Sequence, residues 1–528
     1  MEYLKKYEQI ELLDYCYIYP NGGCAEILLR ILKEVYNNVE FRVIDDGKKE
    51  SSLQNNLEEI KSSQKYILLM GGDIYGELEA KCVKFGITRL IDAREYVAFL
   101  LGREILALSV GGGGRFELLE DRILHIFEDK WIKHCYYFYD LFTYYCSKIA
   151  LEELRQCVLQ YCNAILKNLK KIGYSLELQK GIMFDFAPHT LEIISHFVDS
   201  VKVSWYFGSL EYYLQHKDKV KNQFILIAPW IIADYFMNYQ VVLKLSGGFP
   251  ILNLNKRQIV GIGHSLAEAF ALAPRAIKKS NLFQYAYYYF YPFSHYCAMD
   301  EKSYQAFMKI FNELELEIEV CKSGSPRLDY KIQTKKMHQS LIEQYLFIPR
   351  LMKAEELKGA ISFLLQKGKK VIFRPHPALK NYTKYMKNGN PYNMLEEFRN
   401  NPNFSFDFSS TLSYELLVES IVVTDNSSVS YSTPLSVCKP VILYAFPKKE
   451  FDLRKKNFGV SFFNPILHRV ALDLEGFKQE VLKLEEDLKN SGNQILEELR
   501  QYRNSQVYNL GYSSKWLANF LEKLLKKD

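Results

Sequence analysis

Short apolar, β-branched runs that stop at Gly, Pro, Asp or Ser recur along the chain and alternate with stretches of helical spacing. Runs of that kind read as parallel strands buried on both faces. In the first hundred residues they are Cys16-Tyr17-Ile18-Tyr19, ending at Pro20-Asn21-Gly22-Gly23; Phe41-Arg42-Val43-Ile44, ending at Asp45-Asp46; residues 66–70, ending at Gly71-Gly72-Asp73; and Ile87-Thr88-Arg89-Leu90-Ile91-Asp92. With helices after the first (to about Tyr36) and third (through Lys84), this predicts a small parallel α/β layer. Gly111 to Gly114, after the apolar run Ile105 to Val110, are read as a flexible loop, with an anion nest as the sharper alternative. From about Glu117 to Lys171, Leu, Ile, Tyr and Phe recur every three or four residues without Pro, which predicts a helical connector. Tyr136, Tyr137, Tyr139 and Tyr144 would form its packing face.

A second α/β unit begins at Gly181. Its strands are Ile182-Met183-Phe184-Asp185-Phe186, residues 201–206, Phe224-Ile225-Leu226-Ile227 and Ile259-Val260-Gly261-Ile262, the last feeding Gly263-His264-Ser265 and an Ala-rich helix. His264 thus sits at a strand-to-helix turn, where a side chain is exposed at the lip of a sheet. A third unit has a helix near residues 354–366, a central strand over Val371 to Phe373, and strands at Phe404-Ser405-Phe406, residues 420–424 and residues 440–444. Residues 474–525 are amphipathic helix. The expected divisions are 1–116, 117–175, 176–330, 331–475 and 476–528.

The chemistry concentrates after two strands of the third unit. Phe373-Arg374-Pro375-His376-Pro377 offers a guanidinium and an imidazole between prolines, whose fixed φ narrows where both can point. Val422-Val423-Thr424-Asp425-Asn426-Ser427-Ser428-Val429 offers two hydroxyls and free amides ahead of a helix, whose N-terminus favours an anion. Both loops suit a phosphate.

Composition narrows the class without naming it. At 528 residues, with 48% apolar and 25% charged, the chain is globular and long enough for about three domains. A net charge of +6 does not indicate a nucleic-acid partner. The ten cysteines form no C-x-x-C pair, so neither a zinc cage nor a disulfide framework is expected. Residues 1–6 precede no apolar h-region and no long apolar run follows, so the expected location is cytoplasmic. Peripheral contact with the inner face of the membrane stays open, since Lys523 to Lys527 form a basic tail.

Five elements occur in order: Gly263-His264-Ser265, Gly324-Ser325-Pro326-Arg327-Leu328-Asp329, Arg374-Pro375-His376-Pro377, Thr424-Asp425-Asn426-Ser427-Ser428 and Lys439-Pro440. Together, over roughly residues 180–460, they resemble the CDP-glycerol glycerophosphotransferase family, which builds poly(glycerol phosphate) teichoic acids and related capsule phosphodiesters. Ser265 stands where that family has Gly and Asn426 where it has Tyr; neither change removes a group that titrates near neutral pH. The resemblance implies an α/β fold with a GT-B-like pair of Rossmann-type domains facing a cleft, preceded here by the extra small α/β domain and the connector.

It also implies transfer of glycerol phosphate, or a related phospho-substituent, from CDP-glycerol or a similar donor to a hydroxyl of a saccharide or lipid-linked polymer acceptor. His264 is then the candidate base. His376 and Arg374 would bind or protonate the donor diphosphate, and Ser427 and Ser428 would donate hydrogen bonds to phosphate. Arg327 either contacts phosphate or pairs with Asp329. Asp425 orients a neighbouring His or a ribose hydroxyl, or caps a helix. No Asp-x-Asp is present, so no metal is expected, and the donor is a substrate in a reaction with no cofactor. Two other readings stand beside this one: a GT-B glycosyltransferase using a UDP- or CMP-sugar, and a non-catalytic partner-binding protein whose transferase half is vestigial.

Overall fold

The computed structural model describes residues 15–21, 39–63, 65–69, 75–111, 115–127, 148–174, 178–187, 190–197, 201–220, 223–245, 257–263, 283–333, 344–349, 354–375, 393–409, 412–425, 427–445 and 463–526, with single positions at 25, 28–29, 32–33, 269 and 352. His264 and His376 lie outside the described residues, as do Asn426, Gly112 to Gly114 and the tyrosines at 136, 137, 139 and 144.

Three sheets follow one another along the chain. The first contains β1 (Tyr15–Tyr19), β2 (Glu40–Val43), β3 (Ile67–Leu69) and β4 (Leu90–Asp92), all parallel in the order β2-β1-β3-β4. The apolar run 105–110 closes the helix Ala93–Val110, which packs on the helix Lys148–Lys171.

The second sheet has nine strands: β5 (Phe116–Glu120), β6 (Ile123–Ile126), β7 (Gln179–Asp185), β8 (Val203–Phe207), β9 (Phe224–Ile227), β10 (Tyr239–Leu245), β11 (Gln258–Ile262), β12 (His295–Ala298) and β13 (Glu319–Lys322). Their order is β13-β12-β11-β10-β7-β8-β9-β6-β5, so chain direction through the sheet reverses between β7 and β10. The third sheet has β14 (Gln344–Ile348), β15 (Lys370–Phe373), β16 (Phe404–Phe406), β17 (Ser420–Thr424), β18 (Val441–Tyr444) and β19 (His468–Ala471), all parallel in the order β16-β15-β14-β17-β18-β19. Its reversal falls between β14 and β17. Two successive doubly wound sheets, built on one another's pattern, make the GT-B-like pair, and the small parallel sheet precedes them.

Two expectations are corrected. Residues 116–126 are not helical: β5 and β6 form an antiparallel pair, and β6 joins β9 in parallel at the edge of the second sheet. Short apolar runs carry helix and strand spacing equally well, and here burial of every β6 residue decided for strand. The helix Lys148–Lys171 does occupy the later part of the connector. The Val371 to Phe373 strand, expected at the centre, lies next to the edge, because β14 takes the central place.

The chain's end returns to the second sheet. The helix Leu474–Gln506 is broken at Ser491, and the helix Ser513–Leu525 then packs on β7 and β10. It buries Leu517, Leu521 and Leu524, each worth about 1.5–3 kcal/mol. That apolar face is therefore core and is not presented to lipid.

Candidate functional site

At the reversal of the third sheet, Thr424 Oγ1 donates to the Ile348 carbonyl (2.8 Å) and ties the carboxyl ends of β17 and β14 together. Open α/β sheets hold ligands in the crevice outside such a point. The chain then runs through Asp425, buried at 2% exposure, and Ser427, also buried, to Ser428 and the helix Val429–Val437. The Ser427 carbonyl accepts from Ser430 N (3.0 Å) and Ser430 Oγ (2.6 Å), which closes the first turn. Ser428 is the N-cap residue, makes no side-chain capping bond, and is exposed. Its hydroxyl is thus spared for something other than the helix.

That first turn is held from two sides. From below, His468 Nδ1 accepts from Asn464 N (3.1 Å), so the proton sits on Nε2, which donates to the Ser430 carbonyl (3.0 Å). From the second sheet, Asp300, which follows β12, accepts from the Tyr431 hydroxyl (3.0 Å). Asp300 also closes a capping box with Ser303 on the helix Glu301–Leu314. The carboxyl edge of the second sheet therefore meets the helix that begins at the third sheet's reversal. Burial pushes the Asp300 carboxyl up despite its hydrogen bonds to Ser303 and Tyr431.

Burial pushes the His468 imidazole down to about 4, against the opposing pull of the Ser430 carbonyl, with Lys302 adding to the depression. The unfolded chain, with an ordinary value of 6.5, takes up that proton first. Stability from this group is therefore complete above pH 6.5 and falls as pH drops through about 4, by about 3 kcal/mol at most. In urea unfolding across this range, His468→Gln should show a shallower acid loss than the wild type. An identical slope would remove His468 as the titrating group.

Arg374 is placed at the carboxyl end of β15, but its guanidinium is committed to the protein. Nη1 pairs with Asp407 and donates to Ser409 Oγ (2.7 Å), and Nη2 donates to the Ser409 carbonyl (2.9 Å). Burial would raise the Asp407 carboxyl, but the Ser409 hydroxyl and amide and the Arg374 guanidinium together hold it below the usual range. Arg374 thus shapes the loop after β16.

The two readings of Arg327 are also resolved in part. Asp329 does not pair with it: positions two apart on a helix do not face one another. Asp329 Oδ1 instead accepts from Gly511 N (2.7 Å) and Oδ2 from Ser513 N (2.8 Å). Ser325 caps the helix Pro326–Gln333, with Pro326 in its first turn. Arg327 is exposed, and the protein around it pushes its pKa down. Lys439 donates to the Val418 carbonyl, and burial pushes its ammonium down to about 8; it fastens the end of the helix Tyr414–Glu419.

Sequence reading missed the Lys244–Asp185 pair and the Asp300–Tyr431 link. A lone charge inside an otherwise apolar strand was the available signal for the first; the second carried none. Among the described residues no cluster of His, Cys, Asp or Glu is arranged to hold a metal ion, and no helix is long and apolar enough to cross a membrane.

No family model matches the chain, and no curated protein matches its sequence. Solved structures are similar in part. Wall Teichoic Acid Polymerase TagF, in a structure described as soaked with CDPG, is 15% identical, with 72% of this chain and 99% of that chain covered at a TM-score of 0.45. UDP-N-acetylglucosamine 2-epimerase from Rickettsia bellii is 13% identical, with 65% and 95% covered at 0.40. The calicheamicin glycosyltransferase CalG4 is 11% identical, with 66% and 99% covered at 0.36.

Proposed function

We propose that the protein transfers glycerol phosphate, or a related phospho-substituent, from a CDP-activated donor to a hydroxyl of a saccharide or polymer acceptor in capsule or cell-wall glycan assembly. The observation that carries this reading is the helix N-terminus at the third sheet's reversal, with exposed Ser428 at its cap, fastened to the second sheet through Tyr431 and Asp300. Such an N-terminus stabilises phosphate through its amides and dipole. Gly263, which precedes His264, directly follows β11 of the second sheet, and Pro375, which precedes His376, follows β15 of the third.

In the reaction, the acceptor oxygen attacks the distal phosphorus of the donor as His264 takes the hydroxyl proton. The bond from that phosphorus to the CMP oxygen breaks, and CMP departs with its charge met by His376, Ser428 and the helix amides. Arg374 acts as a positioning residue through Asp407 and Ser409, and exposed Arg327 supplies positive potential. Metal-independent neutralisation of this kind is worth several kcal/mol when donors are preorganised.

A thermal-shift panel of CDP, CMP and UDP tests the reading. A nucleotide at about 100 times its Kd stabilises the fold by ~2.7 kcal/mol. CDP and CMP should do so and UDP should not. Ser428→Ala, which removes no capping bond, should leave the unliganded midpoint within about 0.5 kcal/mol while weakening CMP about tenfold. Stabilisation by UDP alone would replace this reading with the nucleotide-sugar one.

A further inference from the structure

β7 and β10 are neighbours where the second sheet reverses, and each carries one charge at its carboxyl end. Val242 pairs with Met183 and Leu243 with Phe184, which sets Lys244 beside Asp185. Lys244 Nζ lies 2.8 Å from Asp185 Oδ2, with the two side chains 10% and 19% exposed. The ammonium also stands 5.6 Å from the centre of the Tyr206 ring, on β8 next to Asp185. The residues leading to the pair, Ile182, Met183, Phe184, Val241, Val242 and Leu243, are buried and apolar.

A nearly buried ion pair has little reason to be there for stability. Removing two charges from water costs several kcal/mol per ion, and an apolar pair of equal volume holds strands as well or better. What distinguishes this pair is its place, the carboxyl edge at the reversal, where α/β sheets hold ligands. On the other side Lys244 pairs with Gly261, three residues before His264 along the chain.

We propose that Lys244 is an anion subsite for the acceptor, binding a phosphate carried close to the attacking hydroxyl, with Asp185 holding the ammonium until that phosphate displaces it. The inference rests on the transferase reading for its word acceptor; the subsite itself does not. A compact ammonium with three donors can exchange one carboxylate oxygen for a phosphate oxygen without moving its stem. The acceptor it selects is one already bearing phosphate, in preference to a neutral saccharide.

Calorimetric titration of the full chain with sn-glycerol 3-phosphate, inorganic phosphate and CMP tests this. Asp185→Asn removes the competing carboxylate and should tighten glycerol 3-phosphate about threefold, whereas Lys244→Met should weaken it about tenfold, with CMP affinity unchanged in both. Should Lys244→Met fail to fold, the Asp185→Asn arm decides by itself, because a purely structural pair predicts a lower unfolding midpoint and no gain in affinity. Equal glycerol 3-phosphate affinity in wild type and Asp185→Asn overturns the proposal, as does the absence of saturable binding in both. Loss of CMP binding in the wild type with the glycerol 3-phosphate response intact would instead sink the transferase reading and keep the subsite.

Discussion

Alanine at His376 or at His264 is expected to slow CMP release from a CDP-activated donor by about 10²–10⁴-fold, the usual contribution of a positioned acid or base. The circular dichroism and unfolding midpoint should stay those of the wild type. The double variant should be little slower than either single one, since groups acting in the same step are strongly non-additive. His376→Ala should also weaken CMP, because His376 is assigned to the leaving side, while His264→Ala should leave CMP binding intact. Full turnover in either single variant would end the two-histidine mechanism.

The second large effect is one of stability. Gly324 has φ +79°, and a Cβ there would overlap the Tyr508 carbonyl and Ser513 Oγ. Left-handed backbone costs a residue with a Cβ about 1–2 kcal/mol, and here the overlapped atoms include backbone that is itself fastened. Asp329 holds the amides of Gly511 and Ser513, Tyr508 N donates to the Met299 carbonyl (3.1 Å), and Tyr508 OH donates to Glu301. Gly324→Ala should therefore cost more than about 3 kcal/mol in urea unfolding and open the segment around residue 510 to proteolysis. Asp329→Ala should reproduce the proteolysis by a different route, leaving the buried Ser513 amide and the Gly511 amide without their carboxylate. A Gly324→Ala protein within about 0.5 kcal/mol of the wild type would mean that the clasp contributes nothing.

These results bear on how the sequence elements divide. The stretch from Gly324 to Asp329, in which the sequence leaves Arg327 between a phosphate contact and a pair with Asp329, works mainly as a clasp for the residues around 510, with Arg327 its single outward group. Lys439-Pro440 is a fastening as well. The strand that ends at Thr424 and the helix that follows Ser428 stand where the sequence places them, because both signals are local. Arg374 changes most: a guanidinium after a strand end looks available in sequence, yet Asp407 and Ser409, more than thirty residues on, take it up.

Strand runs, their ends at Gly, Asp and Ser and the amphipathic tail were determined by the sequence alone, because side-chain period and turn chemistry are properties of neighbouring residues. The order of the strands, the edge hairpin at residues 116–126, the partner of Arg374 and the reach of Asp329 to an amide 182 residues away were decided only by tertiary structure. A buried polar group must find its partner among whatever segments packing brings beside it, and that choice is not written in local spacing.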